Sequence, residues 1–347
     1  MSLNPSSISF VHELDTAIQM IVENTYTALS ANTWWSQVAD ERPSVGRKQR
    51  VVHFIGDAGI KYIDAADAQV AFDRFAAVTQ EYENKSAAGG LEISVNDMTD
   101  AEGYGYEQAQ QWAAEIGSYG AYWPQQALAA AILANPTAYD GLPFFSASHL
   151  VHPSKAERGT FANDFTGAAT STYPGALPID SSVTIETAIN NLAKLRAYIA
   201  TVKNPSGVLP RGLRLVQLVV PPALETRAEL LCAASLIAMS GGSAGAGAGS
   251  TDVSPITRTL SLGKPIVAPE LSAAFGGSDS TYYAKVEAVG SVVGAWTYYN
   301  REPFQVISHN PSTSAELMRS RKFQWMVHGR NVIAPAHPFK MLRIQAS

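Results

Sequence analysis

One stretch of the chain concentrates residue types that do chemistry. Residues 139–153 read Y-D-G-L-P-F-F-S-A-S-H-L-V-H-P, with an acid (Asp140), two hydroxyls (Ser146, Ser148) and two histidines three apart (His149, His152). Such a set can activate a nucleophile, the histidine taking the hydroxyl proton while the acid orients the ring. Two histidines and an acid can also hold a metal. The spacing argues against both. Metal-binding helices place histidines at i and i+4 with a glutamate between them. Here the spacing is three, in a Pro/Ser segment without glutamate. H-E-x-x-H is absent, and His12, His53, His309, His328 and His337 stand singly. The G-x-S-x-G match at Gly241–Gly245 lies in a glycine run that reads as a loop and not as a strand-to-helix elbow, so it does not present a nucleophile. The segment reads as a structural loop, so no catalytic, cofactor-binding or metal residue is assigned. A soluble hydrolase using His149 and His152 is the rival of another class.

Other candidates are weaker. S-G-G-S-A-G-A-G-A-G-S (240–250) is not G-x-G-x-x-G between a strand and a helix, and Gly263-Lys264-Pro265 has proline where a phosphate loop needs a hydroxyl. The glycine run reads as a flexible surface loop. The single cysteine, Cys232, lies in an apolar helical context, so a disulfide within the chain and a cysteine zinc site are both excluded. Arg47, Lys48 and Arg50, then Arg319, Arg321 and Lys322, form short basic clusters in a chain of net charge −5. They read as solvated faces, and tight DNA binding, which needs a basic patch, is not supported.

The 347 residues suffice for one large core or two domains. With 46% hydrophobic residues the chain can fold, and 16% charged residues is below the roughly 25% usual for soluble domains, a hint of extensive self-association. The start has no signal-peptide pattern and no apolar run reaches membrane-span length, so a soluble, cytoplasmically made protein is expected.

The elements that must position these residues read as follows. Residues 9–30 are an amphipathic helix with Ser9 as cap, followed by Trp34 and Trp35, which need covering. Residues 44–94 are a two-stranded excursion, with strands near 50–64 and at 91–95 and a loop at 84–90. Residues 105–134 are a long helix with a stripe of Trp112, Ile116, Tyr119, Trp123, Ala127 and Leu128, kinked or split at Pro124. Residues 139–180 are turn-rich. A helix over 182–199, capped by Ser182 or Thr184, a strand at 213–220 and a helix after Pro221-Pro222 suggest an α/β subdomain. Further strands are expected at 264–271, 282–289, 323–328 and 339–344.

Five stretches, in order, carry a family resemblance. They are N-P-S-S-I-S-F, Y-E-N-K-S-A-A-G-G-L-E-I-S-V-N-D-M-T-D, Y-D-G-L-P-F-F-S-A-S-H, L-V-V-P-P-A-L-E-T-R-A-E-L-L and M-R-S-R-K-F-Q-W-M-V-H-G-R. With the long helix, this set resembles the major head (capsid) subunit of Mu-like tailed bacteriophages along most of the chain. The departures are His149-Leu150 in place of His-Pro, and Phe72-Asp73-Arg74 near where Trp-x-Gly-x-Arg is expected. The resemblance implies an α+β, HK97-like phage capsid fold. It divides into an N-terminal arm (1–40), an extended E-loop hairpin (41–95), a peripheral domain with spine helix (96–180), an α/β axial domain (181–300) and a C-terminal return to the peripheral domain (301–347). It implies a non-enzymatic protein without cofactors that self-assembles as hexamers and pentamers into an icosahedral head. The implied partners are a scaffold and maturation protease, a portal, decoration proteins and packaged double-stranded DNA held without sequence-specific binding, with no membrane. The implied place is the virion, assembled in the host bacterial cytoplasm. An encapsulin-like compartment shell is the alternative within the fold.

Overall fold

The computed structural model describes residues 8–56, 76–99, 104–167, 174–233, 237–239, 250–252, 262–288, 293–309 and 321–345. In chain order the first elements are helix α1 (Ile8–Ser30), strands β1 (Ala39–Pro43), β2 (Lys48–Ile55), β3 (Ala76–Glu83) and β4 (Lys85–Ser94), then helices α2 (Val95–Thr99) and α3 (Gly105–Ala134). Short strands β5 (His149–Leu150), β6 (Thr160–Phe161) and β7 (Asp164–Phe165) precede α4 (Ile185–Thr201), β8 (Leu213–Val220) and α5 (Glu225–Ala233). The chain continues through β9 (Ile237–Met239), β10 (Ser250–Asp252), β11 (Ile266–Val267), β12 (Thr281–Ala288), β13 (Trp296–His309), β14 (Lys322–Pro335) and β15 (Met341–Gln345). None of the described helices is long and apolar enough to cross a membrane.

Two sheets organise the chain. One has the order β1-β13-β14-β4, with β1 parallel to β13 and the other pairs antiparallel. The other has the order β11-β8-β12-β15-β7. A core of Leu192, Leu195, Ile199, Leu218, Leu231, Tyr282 and Ile344, among others, joins α4 and α5 to the five-stranded sheet. A second core gathers Trp34, Leu128, Ile132, Phe144, Tyr283, Trp296 and Met341, and so bridges the two sheets. The two tryptophans are covered by the chain itself: Trp34 is buried, and Trp35 packs on Tyr298 with ring centroids 5.1 Å apart.

α3 is continuous over 30 residues, roughly 45 Å, with Pro124 inside it, so the expected split does not occur. Its buried face also differs from the expected stripe. Ala109, Ala113, Gly117, Gly120, Ala121 and Leu128 face inward, whereas Tyr119 is half exposed. Small residues win because α1 lies directly across them: a Cβ on Gly117 would sit 2.9 Å from the Val22 carbonyl oxygen. Gly117→Ala should therefore lower stability by about 1–3 kcal/mol, the usual cost of overpacking. A urea melt reads it, and unchanged stability would mean that α1 simply rides outward. The helix ends where Asn135 turns left-handed at φ 48°.

Three further expectations are corrected. Ser9 lies inside α1 and not at its cap. Residues 84–90, expected as a loop, are strand from Lys85: β4 pairs with β14 from Lys322↔Ser94 to Asn331↔Lys85. The Ala-Ala-Gly-Gly segment is there for space, since a Cβ on Gly89 would meet the Ile116 side chain at 3.3 Å. The hairpin is thus β2–β3, paired Lys48↔Glu83 to Ile55↔Ala76, and residues 91–94 belong to the four-stranded sheet. Beyond 301 the strands divide between the two sheets. β14 enters the four-stranded sheet, but β15 pairs with β12 and β7 in the five-stranded one. Thr184 does cap α4, accepting from the Thr187 amide. Residues 57–59 of the expected turn, strand positions 60–64 and the glycine run over 240–249 lie outside the described residues.

Candidate functional site

The Asp140–His149 segment follows directly from the end of α3. The Asn135 side chain bonds the Phe145 backbone in both directions, accepting from its amide at 2.6 Å and donating to its carbonyl at 3.2 Å. That closes residues 135–145 into a loop and drives Phe144 and Phe145 into the core, with Phe144 4.3 Å from Trp296 between ring centroids. His149 is fully covered. Its Nδ1 faces Asp140 Oδ2 at 2.7 Å and its Nε2 donates to the Phe144 carbonyl at 2.9 Å. Asp140 Oδ1 accepts from the Leu142 amide and Oδ2 from the Leu150 amide. Burial pushes the Asp140 carboxyl up, but the His149 hydrogen bond and charge and the two amides outweigh it and hold it below its usual range.

This arrangement does not suit nucleophile activation. A general base needs a ring nitrogen aimed at the hydroxyl it deprotonates. Both nitrogens of His149 already have partners. Ser146 Oγ instead accepts from the Ser148 amide, and His152, itself buried, accepts from the Ser154 amide through Nδ1. The described residues contain no group of three or more histidine, cysteine or carboxylate side chains able to hold a metal. The geometry is that of a clip, and its completing residue is Asn163. Fully buried, Asn163 donates to the carbonyls of Phe144 and Pro338 at 2.7 and 2.9 Å and accepts from the Ser146 amide at 2.8 Å. It ties the segment after α3 to the segment entering β15. Nothing in the N-D-F context of the sequence marks it, because its partners are distant backbone groups.

The second constellation is the root of the β2–β3 hairpin. Asn84 holds its base, donating to Ser44 Oγ at 2.8 Å and the Gly46 carbonyl at 2.7 Å. Further out, Val51 and Tyr82 pack on Tyr299, Val332 and Ala334. Gln80 Nε2 donates to the carbonyls of Thr137 and Ala138. Next along β2, His53 lies between Tyr139 and His337. The basic cluster behaves as a solvated face: Arg47 pairs with Glu83 at 2.9 Å, and Lys48 and Arg50 lie near Glu81, all well exposed. Arg319 is outside the described residues, and Lys322 pairs with Glu92. Cys232 is buried, its thiol pushed up to about 12 by burial.

Comparison with solved structures places this architecture. The chain is similar to the capsid structure of the cyanophage P-SCSP1u, with a TM-score of 0.50 over 89% of this chain and 86% of that one, at 11% identity. The chain has the HK97-like capsid fold. Within that fold, the capsid of bacteriophage JBD30 is similar at 13% identity and a TM-score of 0.44, over 90% of this chain. This chain spans 64%, less than two thirds, of the JBD30 chain. The virus-like particle from Pyrococcus furiosus is similar at 10% identity and a TM-score of 0.47, over 94% of this chain and 98% of that one. No family model matches the sequence, and no curated protein matches it significantly. In this HK97-like chain the two sheets are joined by the α3–Asn163 clip, and among the described residues the β2–β3 hairpin shares no ladder with either sheet.

Proposed function

We propose that the chain is the structural major capsid subunit of a tailed, Mu-like bacteriophage, assembling as hexamers and pentamers into an icosahedral head around double-stranded DNA. The observation that carries this reading, on the HK97-like fold, is the hairpin. Among the described residues β2 and β3 pair only with each other; one face buries Val51, His53 and Ile55, and the other leaves Arg50 and Val52 exposed. A two-stranded hairpin is marginal in water without a surface to lie on. A neighbouring copy supplies that surface. Residues 48–83 then act as the E-loop, α3 as the spine of a peripheral domain built on the four-stranded sheet, and the five-stranded sheet with α4 and α5 as the axial domain.

The charge supports a container and not a DNA grip. Net charge is −5, and the basic residues near the hairpin are already paired with Glu81 and Glu83. Such a shell encloses DNA without binding its sequence, in a virion assembled in the bacterial cytoplasm. The scaffold, protease, portal and decoration proteins would come from other chains, and the subunit itself does no catalysis. The contents of purified particles test this. Nuclease-resistant double-stranded DNA is the expected result. Particles that carry only protein cargo would move the reading to an encapsulin-like compartment, and hydrolytic activity lost in a His149→Ala variant would overturn it.

A further inference from the structure

Two histidines from distant parts of the chain face each other beside the β2–β3 hairpin. His53 of β2 and His337, just before β15, have ring centroids 6.3 Å apart and nearly perpendicular planes. Tyr139 covers His53 from the α3 side at 6.0 Å. His53 is buried, and its Nε2 has no hydrogen-bond partner. Among the described residues, the charged groups acting on the pair are cationic. Arg211 lies 3.6 Å over the Phe339 ring with its Nη1 unpartnered, and Arg42 of β1 and Lys340 add positive charge toward His337. The nearby acids are committed elsewhere: Asp140 to His149, Asp40 to the Gly294 amide, and Glu81 beside Lys48 and Arg50. The Tyr139 hydroxyl donates to the Leu150 carbonyl. Among the described residues, no carboxylate acts on either ring.

We propose that His53 and His337 form an acid-released latch: as neutral rings they hold the outer root of the hairpin to the body, and on protonation they free it beyond the Val51–Gln80 rung. The anchor and the latch are adjacent. Val51 pairs with Gln80, which is bonded to Thr137 and Ala138, and His53 pairs with Val78 two residues further out. Like charges at this separation inside a poorly solvated contact repel, and among the described residues no carboxylate compensates them.

The sign follows from the same surroundings. Burial, then the charges of Lys340, His53, Arg211 and Arg42, hold His337 down to about 3. Burial also lowers His53, and Gln80 opposes this by less. A histidine held below its unfolded value contributes stability that is present above about pH 6.5 and is lost as pH falls toward the folded value. Release therefore begins below about pH 6.5.

Hydrogen exchange on the full-length chain, corrected for intrinsic rates, tests the latch at pH 7.5 and pH 5, with α4 as internal reference. The expected result is a loss of protection of about tenfold or more at residues 52–55 and 76–79 at pH 5, with α4 unchanged. The His53→Phe, His337→Phe double variant should keep equal protection at both pH values. If that variant loses native α4 protection at pH 7.5, His337→Gln takes its place and should show the smaller loss. Equal wild-type protection at the two pH values, an acid loss retained in the variants, or a loss shared equally by α4 would overturn the proposal. The inference goes beyond the capsid reading. The exchange is read within one subunit, so either can fail without the other.

Discussion

Asp140→Ala lowers the unfolding free energy by about 3–5 kcal/mol, the range for breaking one side of a buried ion pair. Three losses add in one place. The imidazole of His149, fully covered, loses the carboxylate at 2.7 Å and is left with a buried donor. The amides of Leu142 and Leu150 lose their acceptor. The loop that carries Phe144 and Phe145 into the core then loosens at the point where α3 is tied to the rest. A denaturant melt at neutral pH reads the loss. The pH dependence gives an independent check. Asp140 is held below its unfolded value, so its contribution is present above about pH 4 and is lost as pH falls through the lowered folded value. The wild-type protein should lose stability over that acid range, and the variant should lack that component. A variant within about 0.5 kcal/mol of wild type, the usual effect of a neutral surface change, would mean that the clip carries nothing.

Trp296→Ala should cost about 3–5 kcal/mol, the range for removing a large buried aromatic side chain. Trp296 is fully buried at the start of β13. Its ring packs on Phe144 at 4.3 Å, and its Nε1 donates to Met341 Sδ at 3.2 Å. It therefore touches the loop after α3, the four-stranded sheet it belongs to and the first residue of β15 in the other sheet. The cavity opens where these three meet. Beyond the fall in stability, the variant should unfold with a broader transition, because the two sheets lose their shared core. A sharp transition with an unchanged midpoint would show that the sheets are coupled elsewhere.

The helices were the legible part of the fold because their signals are local. Ile185, Ile189, Leu192 and Leu195 repeat at helical spacing, and Thr184 stands where a cap belongs. The strands depended on partners the sequence does not display. Residues 85–90 have the composition of a loop, yet they pair with β14 as part of β4, where Ile116 and the Trp325 carbonyl leave little room for a side chain at Gly89 and Gly90. β13, fourteen residues long, has no clear signal in the sequence because Pro303 interrupts its pattern; the ladder accommodates it with register shifts between Asn300 and Gln305. The buried face of α3 is hidden in the sequence for a related reason. Large aromatics look like core, but Gly117 and its small neighbours are buried because α1 is close.

The site was half legible. Asp140 and His149 were visible as neighbours in the chain, and their motif context read as structural. What decides their role lies far away: Asn163 and the Pro338 carbonyl, which no local pattern connects to them. The contact between His53 and His337 spans most of the chain and joins residues that each looked isolated.

The central claim is self-assembly into a closed shell. Negative-stain electron microscopy of the purified protein, with light scattering for mass, tests it most directly. The account predicts hollow polyhedral particles, or rings of five and six subunits, built from this chain. A stable monomer or dimer at high concentration, even with candidate scaffold co-expressed, would contradict it.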